Sequence, residues 1–231
     1  MKTLNSKLTA TVAALSIATL FSFNAMAAEP EAEVNYGDPT ASFSTVGISA
    51  SKDTTQLNGM MGFGSNIFSL DLAADNKTGE MNGRGRYFHV TDGLGYSIDV
   101  LADANSQTVL GGLIYKFQVS DNISIFPMLS GGATQVKRPM EDNKYDRSGI
   151  AQAGVYAMYG FDAGHWLYAN PKTTYHLKNK EFINQIEVGG GFMVTNNISV
   201  GAKVEYTAEH KNQFGSMKAD TVTWFQANYY F

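Results

Sequence analysis

The sequence predicts an all-β chain closed as an antiparallel transmembrane β-barrel of twelve strands. Three observations predict it. Apolar and polar residues alternate with period two in twelve successive segments. Turns rich in Asn, Asp and Gly separate many of these segments. The chain ends on TWFQANYYF, residues 223–231, and so places aromatic side chains where most chains fray.

The elements follow in chain order. Lys2 and Lys7 form a positive start, residues 8–23 are apolar, and Ala25-Met26-Ala27 is an A-x-A cleavage pattern. This predicts a cleaved signal peptide over 1–27, because the apolar stretch is shorter than the ~20 residues of a membrane helix. The mature chain then starts at Ala28, which leaves 204 of the 231 residues, a length that suits one domain. No Cys occurs, so no disulfide or N-terminal thioether anchor is available. The net charge of −4 argues against nucleic acid as a partner. Residues 28–40, AEPEAEVNYGDPT, are acidic and carry two Pro. They are expected to form a periplasmic N-terminal tail; the alternative is a plug that sets Glu29, Glu31 and Glu33 against Arg84 and Arg86 in the lumen.

The barrel is expected over 41–231. Its strands are predicted at 41–51, 54–63, 67–75, 81–90, 94–103, 107–119, 123–135, 148–161, 165–176, 182–194, 198–209 and 220–231. Side chains alternate between the faces of a strand, so Ile198, Val200, Ala202, Val204 and Tyr206 share one face. Ser199, Gly201, Lys203, Glu205 and Thr207 share the other. Phe68, Leu70, Leu72 and Ala74 form an equally clear row, as do Tyr96, Ile98, Val100 and Ala102. The faintest segment is 81–90, whose outer row would be Gly83, Gly85, Tyr87 and His89. Were it and one partner loops, the barrel would have eight or ten strands. A hairpin pattern recurs, FQVSDNISIF at 117–126 and FMVTNNISVG at 192–201.

Tight connections are predicted at 64–66, 91–93, 120–122, 162–164 and 195–197. Longer, more charged ones are KRPMEDNKYDR at 137–147 and EHKNQFGSMKA at 209–219. This asymmetry, with both termini on the short-turn side, fits a transmembrane barrel. The apolar rows carry no Lys, Arg, Asp or Glu, and such a charge at mid-bilayer costs roughly 2–4 kcal/mol. Aromatics cluster where the rows approach the short turns, as in an interfacial girdle. Lipid offers no hydrogen bonds, so the last strand must pair with the first.

With its signal peptide, alternating segments and Phe-ending last strand, the mature chain resembles Gram-negative outer-membrane β-barrel proteins over essentially its whole length. The resemblance implies an outer-membrane location, contact with lipopolysaccharide, and periplasmic chaperones and the barrel-assembly machinery as partners in biogenesis. It assigns Tyr229 and Phe231 to the assembly signal, while Trp224 and Gln226 depart from that signal's usual upstream pattern. It also implies a small, monomeric, porin-like channel for passive diffusion of small hydrophilic solutes.

The polar faces supply the lumen candidates Asp71, Arg84, Arg86, Asp99, Lys116, Lys172, Glu187, Lys203 and Glu205. Their signs alternate from strand to strand, and most are expected at similar depth. They form either a constriction that sets solute preference or a salt-bridge belt that stabilises the wall. Five basic and four acidic residues nearly cancel, so weak selectivity is expected. A non-conducting structural or adhesive barrel, acting through its outer loops, is the alternative. An outer-membrane hydrolase built on Ser148 and His176 or His210 finds no supporting motif. No catalytic, cofactor or metal site is expected.

Overall fold

The computed structural model describes residues 34–91, 93–138, 144–212 and 215–231. The predicted signal peptide, Glu29, Glu31, Glu33 and residues 139–143 lie outside them. Among the described residues there is no α-helix. The twelve barrel strands are β1 (Thr45–Ala50), β2 (Thr54–Phe63), β3 (Asn66–Asp75), β4 (Met81–His89), β5 (Leu94–Asp103) and β6 (Ser106–Tyr115). Then come β7 (Ile123–Lys137), β8 (Tyr145–Gly160), β9 (Trp166–His176), β10 (Glu181–Thr195), β11 (Ile198–Thr207) and β12 (Asp220–Tyr230).

Every strand pairs antiparallel with its neighbours in sequence, and β12 closes the ring on β1, with Val46 opposite Tyr229 and Ala50 opposite Phe225. Phe231 is tied as well: its N–H donates to the Ser44 carbonyl at 3.1 Å. The aromatic terminus is therefore a barrel stave, with Phe225, Tyr229 and Phe231 turned outward. The faint segment forms β4 in the expected register, with Arg84, Arg86 and Phe88 facing inward.

Several expectations need correction. The strand predicted at 107–119 is interrupted at Lys116, and only Phe117–Gln118 resumes pairing, with β7. The β7–β8 hairpin runs further than predicted, to Lys137 opposite Tyr145. The loop asymmetry is narrower than expected. At the end of the barrel opposite the termini, the loop end, Ala104 and Asn105 alone join β5 to β6, and 51–53 join β1 to β2. Only 138–144 and 208–219 are long there, and the latter carries a small hairpin, His210–Asn212 with Gly215–Met217.

The largest correction concerns the N-terminal segment. The first strand starts at Thr45, and residues 34–44 enter the lumen at the other end, the turn end, in the manner of the plug alternative and not of a tail; their contacts are made by Tyr36, Gly37 and Asp38. Tyr36 stacks on inward-facing Tyr230 with centroids 3.9 Å apart and meets Phe43 edge-on. The Tyr156 hydroxyl donates to the Gly37 carbonyl at 2.9 Å. Asp38, 6% exposed, accepts a 2.5 Å ion pair from Lys116. Around this segment stand Ile67, Phe88, Ile114, Phe126, Met158 and Trp166, the barrel's buried core. Apolar burial at ~25 cal/mol per Å² drives this filling of the turn end.

Trp166 explains two glycines. A Cβ at Gly191, beside it in the wall, or at Gly37, above it in the plug, would collide with the indole. Gly191→Val is expected to lower stability by about 1–3 kcal/mol through overpacking. Gly85→Val, where an added carbon meets nothing within 4 Å, is expected to be neutral. The temperature at which the folded gel mobility is lost measures both; equal loss in the two variants would contradict the packing.

Candidate functional site

The lumen candidates fall on two walls. On β3, β4 and β5 stand Asp71, Arg84, Arg86 and Asp99. Asp71 lies directly opposite Arg84, and Arg86 opposite Asp99, because the antiparallel register aligns their inward positions. Asp99 is 7% exposed and binds both guanidinium groups, Arg84 at 2.8 Å and Arg86 at 2.5 Å. Asp71 accepts a hydrogen bond from the Asn58 side chain of β2 at 2.9 Å.

On β9, β10 and β11 stand Lys172, Glu187, Lys203 and Glu205. Glu187 faces Glu205 across the β10–β11 ladder, and like charges directly opposed repel. Lys203 resolves this by pairing with both, at 3.0 Å to Glu187 and 2.6 Å to Glu205. Its ammonium also lies 5.6 Å from the Trp224 ring centroid, a cation–π arrangement. Lys172 reaches from β9 into the field of Arg84 and Asp99 on the other wall. The ladder between β8 and β9 lapses at Asn170 and Pro171, just before it, because proline has no N–H to give.

Eight of the nine candidates therefore stand on these two walls, and six of them, Asp71, Arg84, Lys172, Glu187, Lys203 and Glu205, line one cavity. Lys116 does not join them. It sits at the turn end, in the break after β6, beside Phe126 and paired with Asp38. Asp38 thereby adds a fifth acid to the four candidate acids, against the five candidate bases. Asp38, Tyr36 and Asn58 join the lumen in addition to the expected residues. NYGDPT at 35–40 holds the available signal, a turn sequence that contains Tyr36 and is followed three residues later by Phe43.

Above the two walls a cavity of about 620 Å³ opens at the loop end. Asp71, Arg84, Lys172, Glu187, Lys203 and Glu205 line its depth; Asp75, Glu80 and Asp103 line its mouth. The mouth is more acidic than the lumen below. Nearby Lys77 does not neutralise it, being bound to Asp53 at 2.5 Å. That hydrogen bond, more than the Asp53 charge alone, raises the Lys77 ammonium above its ordinary range.

The hydrolase constellation does not assemble. The Ser148 hydroxyl donates to the Gly149 carbonyl at 2.8 Å and accepts from the Lys178 N–H at 3.2 Å. Among the described residues no hydrogen bond joins it to His176, while His210 lies 3.8 Å from Glu181. No group of three metal-ligating side chains occurs among the described residues.

Asp99→Asn tests the wall. It leaves two guanidinium groups sharing a neutral acceptor, so stability is expected to fall by about 1–3 kcal/mol, allowing for their part exposure. Ion preference is expected to move towards anions. Melting temperature and reversal potential in a salt gradient measure the two effects.

No known family model matches the sequence, and no curated protein is recognisably similar to it. Solved structures do match in three dimensions. The NanC porin superposes with a TM-score of 0.60 at 9% identity, covering 80% of this chain and 98% of that one. The KdgM porin gives 0.55 at 9%, covering 81% and 98%. The COG4313 outer membrane channel from Pseudomonas putida F1 gives 0.55 at 11%, covering 89% and 100%. The chain has the fold of these outer-membrane porins and channels.

Proposed function

We propose that the mature chain is a porin-like channel of the Gram-negative outer membrane, for passive diffusion of small hydrophilic solutes. The observation that carries this reading is the polar, charge-lined cavity inside a closed barrel. A barrel serving only as a structural shell gains more from packed side chains, as at the turn end, than from a charged cavity left open. Charged constrictions of this kind set solute preference in pores. The KdgM porin has also been solved in complex with oligogalacturonate. The near-neutral lumen walls here favour weak selectivity, with a slight cation preference from the acidic mouth.

The turn end favours a second reading. Residues 34–44 fill the lumen there, which suits a barrel that stays shut and acts through its outer loops. We combine the two observations: the segment is a plug whose release admits current. Location, a monomeric state, lipopolysaccharide contacts, and the roles of periplasmic chaperones and the assembly machinery acting on Tyr229 and Phe231 belong to the same proposal.

Single-channel recording of the refolded mature chain tests it. The chain lacking residues 28–44 is expected to conduct in larger and more frequent steps than the intact chain. Asp38→Asn, which removes the charge held by Lys116, weakens plug seating by about 1.5–3 kcal/mol and is expected to act in the same direction. A folded barrel silent in all three forms would sink the channel reading and leave the loop-mediated one. The double change Arg84→Ala, Arg86→Ala separates constriction from belt. A constriction predicts more conductance and altered ion preference, whereas a belt predicts a lower melting temperature with unchanged current.

A further inference from the structure

Pairing the lumen charges leaves a remainder. Asp99 is matched by Arg84 and Arg86, Lys203 by Glu187 and Glu205, and Lys116 by Asp38. Among the described residues, Lys172 has no carboxylate within ion-pair distance, and Asp71 has no cation within it. Asp71 holds only the neutral amide of Asn58. These two opposite charges stand on β3 and β9, on facing walls of one cavity, and both line it. A wall built solely as a stabilising belt would join them to partners as it joins the other seven candidates. The field at Lys172 is mixed: Arg84, on the far wall and itself paired with Asp99, adds positive charge to the same space, while Glu187 and Glu205, both held by Lys203, add negative charge. The acids of the mouth, Asp75, Glu80 and Asp103, lie on the outer side of this pair. The depth of the cavity thus carries both signs, with Lys172 and Asp71 as its unpaired members, and its mouth is acidic.

We propose that this cavity is a binding site for small zwitterions, molecules carrying a carboxylate and an ammonium group, as amino acids do. The carboxylate lies between Lys172 and Arg84. The ammonium lies against Asp71, towards the acidic mouth. A simple anion meets the acids of the mouth, and a simple cation meets Lys172 and Arg84, so each single charge gains one contact and suffers one repulsion. The zwitterion gains both contacts. The proposal names a solute class for the channel and rests on that reading for its physiological sense, while binding itself does not require current.

The test is saturation-transfer NMR on the refolded, heat-modifiable mature chain. The probes are glycine, 4-aminobutyrate and 6-aminohexanoate, which vary the charge separation, with acetate and methylammonium as single-charge controls. At least one zwitterion is expected to bind about threefold or more tightly than either control, the effect of one extra exposed charge contact. Lys172→Gln and Asp71→Asn are each expected to remove that advantage, and Lys172→Arg to keep it. If a variant fails to fold, the wild-type chain still decides: the advantage must shrink as salt rises from about 0.05 to 0.5 M. Zwitterions that never exceed the controls, or an advantage untouched by these changes, would overturn the proposal. Current recorded on the same preparation separates the two readings. A silent barrel that binds zwitterions removes the channel and keeps the site; a conducting barrel indifferent to them does the reverse.

Discussion

Backbone hydrogen bonding in lipid is the constraint on which this structure depends. Hydrocarbon satisfies no N–H or carbonyl, so each strand must find both neighbours and the last must return to the first. The β12–β1 seam, from Thr45 opposite Tyr230 to Ala50 opposite Phe225, meets that demand. Once the ring exists, period-two alternation gives it two surfaces. Phe68, Leu70, Ile98, Val100 and Val200 go outward to lipid, each more than two-fifths exposed. Their neighbours in sequence are forced inward, and that is why charges in otherwise apolar strands converge on one lumen.

A narrow lumen makes charge expensive, and pairing answers the cost. Asp99 between two arginines and Lys203 between two glutamates are the same solution with the signs exchanged. Each central group is the more buried one, the place where an uncompensated charge is hardest to tolerate. Against that background Lys172 and Asp71 are exceptions, and they share a cavity. Exceptions to a pairing rule are where a ligand has something to gain.

The two ends of the lumen obey different physics. At the loop end, polar residues line open space. At the turn end, Trp166, Phe126, Met158 and Tyr230 pack as the core of a soluble protein does, and the segment 34–44 completes them. The glycines at 37 and 191 make room for one indole. Asp38 and Lys116 anchor the segment by charge, and Tyr36 anchors it by stacking. A barrel with such a plug can be well ordered at one end and receptive at the other.

The sequence by itself determined the barrel, the strand order and the face of nearly every residue, the inward-facing charges among them, because alternation and turn chemistry are local. Even the faint strand at 81–89 kept its register, since its neighbours left it no other. It did not reveal the pairing of Lys116, which stands in a break after β6 and meets Asp38 from a segment distant in sequence. It offered a plug only as the alternative to a tail and did not reveal its contacts, because Tyr36 and Asp38 acquire meaning only beside Tyr230 and Lys116, residues distant in sequence. Which charges find partners and which remain was likewise decided in three dimensions. Alternation assigns a side chain to the lumen, but only closure of the ring sets what stands across from it.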